Sequence, residues 1–152
     1  MRLEYDEVQK AIELHKKYLA GDPEGQKADL TEANMYGANL IGVDLKRAVL
    51  EKANLKRALL CNANLANANL QGAFFKRVIL DGTNLEGANL QGANLQGANM
   101  KGANLDNANL CGANFLDADL EDMTINSAHF NDKTYWPEGF DPIRNGALQV
   151  NQ

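Results

Sequence analysis

Large apolar residues return along the middle of the chain at every fifth position, and the spacing never slips. From Leu30 they run through Met35, Leu40 and Leu45 to Leu120, Ile125 and Phe130, 21 consecutive units without insertion or deletion. Two places before each centre stands Ala in 17 of the 21 units; the exceptions are Val43, Val78, Thr83 and Met123. The place just before the centre is Asn or Asp in 15 of the 21. The two places after it vary and are mostly polar or Gly.

No straight element carries this pattern. On an α-helix five residues advance about 500°, so successive leucines step round the cylinder by roughly 140° and form no face. On a straight strand an odd period sends them to alternate sides. Within one unit, however, Ala and the centre are two apart and share a strand face. The remaining residues must turn the chain so that the next short strand again points inward. Gly stands two places after the centre in nine units, among them Gly87, Gly92, Gly97 and Gly102, which suits turns that need φ > 0. A corner in every unit winds the chain into a coil stacked at about 4.8 Å per layer, with Ala and Leu inside. The pattern therefore predicts an all-β solenoid. Spacing alone leaves three or four units per coil open.

These residues resemble the pentapeptide-repeat family, whose motif is Ala, then Asn or Asp, then Leu or Phe, then two variable places. Residues 28–132 match it without a break. The resemblance implies a right-handed quadrilateral β-helix with four units per coil, so that the 21 units make about five coils and residues 20 apart are stacked neighbours. The tail TYWPEGFDP, residues 134–142, is similar to the end of many cyanobacterial members. Some members dimerise through this end, and some imitate duplex DNA and bind DNA gyrase. Monomer and C-terminal dimer are both open for this chain.

A solenoid has two open ends that need covers. Asp6 to Ala20 reads as a helix, with Val8, Ala11, Ile12, His15 and Leu19 on one face and Gly21-Asp22-Pro23 as the stop. The chain thus divides into an N-terminal helical cap and linker (1–27), the repeat solenoid (28–132) and a C-terminal cap and tail (133–152). After Phe130 the register is lost, and Tyr135, Trp136, Phe140 and Ile143 are expected to fold over the last coil. Residues 146–152 are expected to fray.

The departures from the motif direct the search for function. Outward sites normally held by Asn or Asp carry Val49, Leu59, Phe74 and Ile79, and exposed apolar clusters mark interfaces. With the coil size the resemblance implies, Lys56-Arg57 would stack on Lys76-Arg77, an unfavourable pairing of like charges unless something neutralises it. Over residues 46–77, Lys46, Arg47, Lys52, Lys56, Arg57, Lys76 and Arg77 face only Glu51, a net of +6; residues 81–132 carry a net of −7. The whole chain is at −5, which argues against nucleic acid as a general partner. The repeated asparagines Asn69, Asn89 and Asn109 are expected to bond up the stack.

Catalytic chemistry is absent from the pattern. His15 belongs to the helix and His129 to an outward site in the last unit; Cys61 and Cys111 fall on opposite faces, too far apart to bridge. No nucleophile triad or phosphate-binding Gly loop is present. The opening residues lack an uncharged apolar segment, no run reaches membrane length, and two cysteines make no disulfide framework, so a cytoplasmic protein is expected. The expectation is a non-enzymatic binding or scaffold protein without metal or cofactor, presenting rigid faces to a protein partner. Gyrase binding, and phosphate or nucleic-acid binding by the basic patch, stand as alternatives.

Overall fold

The computed structural model describes residues 3–151; the first two residues of the N-terminal segment and the last of the tail lie outside the described residues. The chain forms a four-sided parallel β-coil. Bridges join Asp29 to Val49, Val49 to Asn69 and Asn69 to Asn89, and the same step of twenty residues repeats on the other three sides. With five residues per unit, twenty residues per coil means four sides. Face 1 holds the centres Leu30, Leu50 and Leu70, face 2 Met35, Leu55 and Phe75, face 3 Leu40, Leu60 and Leu80, and face 4 Leu45, Leu65 and Leu85.

Each side is so short that one bridge exhausts it. The centre N–H donates to the next coil, as Leu55 does to the Phe74 carbonyl at 2.8 Å, and Phe74 donates back to Ala53 at 2.9 Å. The corner is a β-turn closed by the Ala N–H on the preceding centre, Ala58 on Leu55 at 3.0 Å. All 20 corners from Glu32 to Ser127 place their second residue at φ between 55° and 70°, whatever its identity. Nine of these residues are Gly, for which that region is free; Arg47, Lys52, Arg57 and Arg77 occupy it against a steric cost.

The Asn and Asp sites have a purpose that the stacking expectation missed. In all 15 units that carry them, the side-chain oxygen accepts the N–H two residues on, from Asp29 with Thr31 to Asp119 with Glu121. This Asx turn satisfies the corner donor that the inter-coil ladder does not reach. Bonds up the stack are fewer: Asn89 donates to Asn69 at 3.4 Å and Asn54 to Asn34 at 3.3 Å.

Inside, Ala and the large centres fill the coil; Leu30 to Leu110 are almost wholly excluded from solvent. Burying each Leu is worth about 1.5–3 kcal/mol. Thr83, a polar exception at an Ala site, is tolerated because its hydroxyl donates to the Leu60 carbonyl at 2.6 Å.

Helix α1, Tyr5–Leu19, lies at the first coil, with Glu4 and Glu7 forming a capping box at its start. Val8 belongs to the core cluster, and Leu3, Ala11 and Ile12 pack against it. Leu19, at the end of the predicted face, is only partly buried. His15 is fully buried. Its Nδ1 accepts the Ala28 N–H at 3.0 Å, so the proton sits on Nε2, which donates to the Lys46 carbonyl at 3.0 Å.

The C-terminal end departs from three expectations. Of the four residues expected to cover the last coil, Trp136 and Phe140 pack against the core, but Tyr135 and Ile143 stay more than half exposed. The register is not lost after Phe130; it shifts by one residue and continues. Asn114 bridges Tyr135, a step of 21, and Trp136 takes the place of the next centre. The extra residue is absorbed at Thr134, whose hydroxyl donates to the Leu110 carbonyl at 2.9 Å and accepts the Asn131 N–H at 3.1 Å. Trp136 stacks on Phe115 with centroids 4.9 Å apart and planes 4° from parallel. Nor is the tail frayed. Strand β2, Leu148–Gln149, pairs in parallel with β1, His129–Phe130, while Ala147 is buried. An unpaired strand edge recruits whatever extended chain is at hand, and this one recruits its own terminus.

Candidate interaction surface

The twenty-residue coil sorts the predicted surface residues by column. Phe74 projects from face 2 between Asn54 and Asn94. Leu59 and Ile79 bridge each other on face 3. Between these faces, the corner carries Lys56 and Lys76 in one column and Arg57 and Arg77 in the other, with the Arg57 N–H donating to the Lys76 carbonyl at 3.1 Å. These seven side chains therefore form one continuous strip.

Val49 does not join them. It sits on face 1, half buried between Asp29 and Asn69. The early basic run also divides: Lys46 and Arg47 fall at the corner between faces 4 and 1, diagonally across the coil, and Lys52 at the corner between faces 1 and 2. Lys52 is 3.9 Å from the Glu51 carboxylate. The net of +6 read from the sequence is thus spread over three corners, and only one holds a cluster.

That cluster is not neutralised. Among the described residues, no carboxylate lies within ion-pair distance of Lys56, Arg57, Lys76 or Arg77. The next corner, between faces 3 and 4, shows the opposite arrangement: Asp81, Lys101 and Glu121 alternate down one column, and Lys101 Nζ meets Glu121 at 3.2 Å. The Glu121 carboxylate raises the Lys101 pKa.

One residue of the strip escaped the sequence reading. Tyr36, 56% exposed, stands one coil above Lys56 and lines with the four cations a hollow of about 240 Å³. Its signal was its position, twenty residues before Lys56 and in the same column. A second hollow of about 420 Å³ adjoins it on face 2, bounded by Glu32, Lys52, Asn54, Lys56 and Phe74. Lys56 Nζ lies 5.3 Å from the Phe74 ring centroid, a cation–π contact that spans the two.

The apolar residues of the strip displace working asparagines. With Leu59, Phe74 and Ile79 in the Asx position, the N–H groups of Cys61, Lys76 and Asp81 lose the acceptor that their counterparts have in 15 units. Thr124 and His129 also break the motif, but there the corner donors find substitutes in Asp106 and Thr134.

Groups with catalytic chemistry are engaged or dispersed. His15 is held by two backbone bonds, and burial keeps its pKa below the ordinary imidazole value against the pull of the Lys46 carbonyl. Cys111 is buried, which pushes its thiol pKa up; Cys61 lies at the diagonal corner and both thiols are free. Among the described residues, no three His, Cys, Asp or Glu side chains come close enough to hold a metal ion. No described helix is long and apolar enough to cross a membrane.

A coil of five-residue units whose inward places are filled by Ala and large apolar residues defines a β-solenoid. The Pentapeptide repeats family matches residues 28–65, 44–82, 62–97, 75–107 and 88–122, and the chain belongs to that family. Two solved relatives agree. A pentapeptide repeat protein from Nostoc Pcc 7120, alr5209, shares 30% identity over 91% of this chain and 93% of its own, with a TM-score of 0.57. One from the Arabidopsis thaliana thylakoid lumen shares 35% over 64% of this chain and 68% of its own, with a TM-score of 0.63. QnrB1, a plasmid-mediated fluoroquinolone resistance protein, aligns at 21% identity over 81% of this chain and 61% of its own, with a TM-score of 0.49. No curated protein matches the chain. Proteins of this family are in general structural or binding proteins without enzymatic activity.

Proposed function

We propose that this chain is a non-enzymatic binding protein of the cytoplasm that presents the strip between faces 2 and 3 to a protein partner. The observation that carries the reading is the coincidence, at one corner, of four cations without counter-ions among the described residues and three outward apolar residues that replace Asx acceptors. Both features disfavour the free molecule, and both are relieved by a partner that supplies negative charge around an apolar contact. The rest of the molecule serves as a rigid support: a right-handed coil of 21 regular units, about 25 Å long at the strand spacing, with α1 covering its first layer.

The gyrase reading receives no support from this strip. A duplex mimic needs negative charge along its length, and here two successive coils are cationic at one corner. At 21% identity and a TM-score of 0.49, the likeness to QnrB1 carries no argument for that reading.

The test is photo-crosslinking capture from source cells, with the crosslinker at position 36, comparing wild type with Phe74→Asn/Ile79→Asn and with Lys46→Gln/Arg47→Gly. A partner retained by the second variant and lost by the first supports the proposal. Equal capture by both sinks it.

A further inference from the structure

We infer that the corner between faces 2 and 3 is a site for a phosphoryl group, the anion that completes the strip proposed above. The inference rests on that reading but is separately testable.

Two neighbouring corners of this coil arrange charge in opposite ways. Columns of side chains on this coil repeat at about 4.8 Å, close enough for direct pairing. The column of Asp81, Lys101 and Glu121 uses that spacing to alternate charges. The neighbouring corner uses the same spacing to stack Lys56 on Lys76 and Arg57 on Arg77 with nothing between them. The backbone adds to the cost. Arg57 and Arg77 both sit at φ 59°, whereas Gly37 above and Gly97 below fill the same column at φ 66° and 68°. Bulky cations stand where the chain's own pattern places Gly.

The geometry then specifies the ligand. Two guanidinium forks one layer apart can each present paired N–H donors to one tetrahedral oxyanion, and Arg is suited to that bidentate contact. Lys56 and Lys76 flank them as point charges, and Tyr36 lines the same hollow. A volume of about 240 Å³ accommodates a phosphoryl group with its immediate substituent. The adjoining hollow beside Phe74 lies where the next group of a larger ligand would rest. A single cluster on a chain of net charge −5 favours a compact dianion over an extended polyanion. The phosphoryl group can belong to a phosphorylated side chain of the partner or to a free diphosphate.

The experiment is thermal-shift titration of the full chain at constant ionic strength with four probes: inorganic pyrophosphate, a phosphoserine hexapeptide, its unphosphorylated twin and a 20-base-pair duplex. A saturable rise in Tm with pyrophosphate or the phosphopeptide, and none with the twin, is expected; which of the two acts names the source. Arg57→Gly/Arg77→Gly should weaken binding at least tenfold and remain folded, since Gly is the easiest residue at those corners. Lys56→Gln/Lys76→Gln should weaken it as well, and Lys46→Gln/Arg47→Gly should leave it unchanged. The inference falls if neither phosphoryl probe acts beyond matched NaCl, if the Arg57/Arg77 and Lys56/Lys76 variants respond like wild type, or if the duplex binds as well as the best phosphoryl probe and tightens with length. Partner capture that survives Arg57→Gly/Arg77→Gly but not Phe74→Asn/Ile79→Asn would rule out a phosphoryl group carried by the partner and leave the protein-partner reading intact. Phosphoryl binding without partner capture would do the reverse.

Discussion

Replacing Arg57 and Arg77 together by Gly should make the protein more stable, although it removes two large side chains. Both residues hold φ at 59°. For a residue with a Cβ the left-handed region costs about 1–2 kcal/mol, while Gly forfeits about 0.5–1 kcal/mol through the freedom of its unfolded chain. The difference favours Gly by roughly 0.7 kcal/mol per site on these figures. Relief of like charges on adjacent strands adds a few tenths, within the range of about 0.2–1 kcal/mol for such pairs. The double variant should gain about 1.5–2 kcal/mol, or about 3–8 °C in Tm at roughly 2–4 °C per kcal/mol for a chain of this size. Differential scanning calorimetry at low and high salt reads both parts. The electrostatic part should vanish at 1 M NaCl, where the screening length is about 3 Å, and the backbone part should persist. Gly92→Ala provides the converse: its φ is 67° with open space around the missing Cβ, and it should lose about 1 kcal/mol from conformation alone. An unchanged or lowered Tm in the double variant at both salt concentrations would refute the account of the corners.

Three further outcomes follow from other contacts. Stability should fall as pH drops from 7.5 through 6.5, because the unfolded chain protonates His15 at its ordinary value while burial lowers the folded pKa, so the unfolded state binds more protons. The decline should end below the folded pKa, and His15→Leu should flatten it while costing about 1–3 kcal/mol for each backbone group left unpaired; urea midpoints across pH measure both. Gly25→Ala should destabilise by at least about 1–3 kcal/mol, since its Cβ would stand 2.1 Å from the Tyr18 backbone nitrogen; a wild-type melting curve would contradict that packing. Phe74→Asn/Ile79→Asn should stay within about 1 kcal/mol of wild type by chemical denaturation, because a restored Asx bond offsets the lost apolar contact.

The sequence made the coil legible because every inward residue is set by one repeated constraint: Ala and Leu can share an interior only if the chain turns in each unit. It also placed Leu59 above Ile79 and Lys56 above Lys76, once the coil length was taken from the family. Three things lay beyond it. The purpose of Asn and Asp was hidden because an Asx turn is a contact two residues away, invisible to reasoning about stacks. The positive φ of Arg57 and Arg77 was hidden because the turn dictates the backbone and tolerates a residue that does not suit it. The fate of the tail was hidden because a single inserted residue at 131–134 preserves the ladder while erasing the period. That Val49 and Lys46 stand apart from the strip was hidden for a related reason: nearness in sequence says little where five residues carry the chain round a corner.

The step of twenty residues also governs how this surface can change by insertion and deletion. Adding or removing one full coil lengthens or shortens every column and leaves each side chain on its own face. Losing five residues between Arg57 and Lys76 would rotate everything downstream by one side, parting the two basic pairs while keeping every Ala and Leu inside. A binding surface on this fold can therefore be lost in a single genetic event that the core does not register, and a neighbouring column can be brought into its place by the same means.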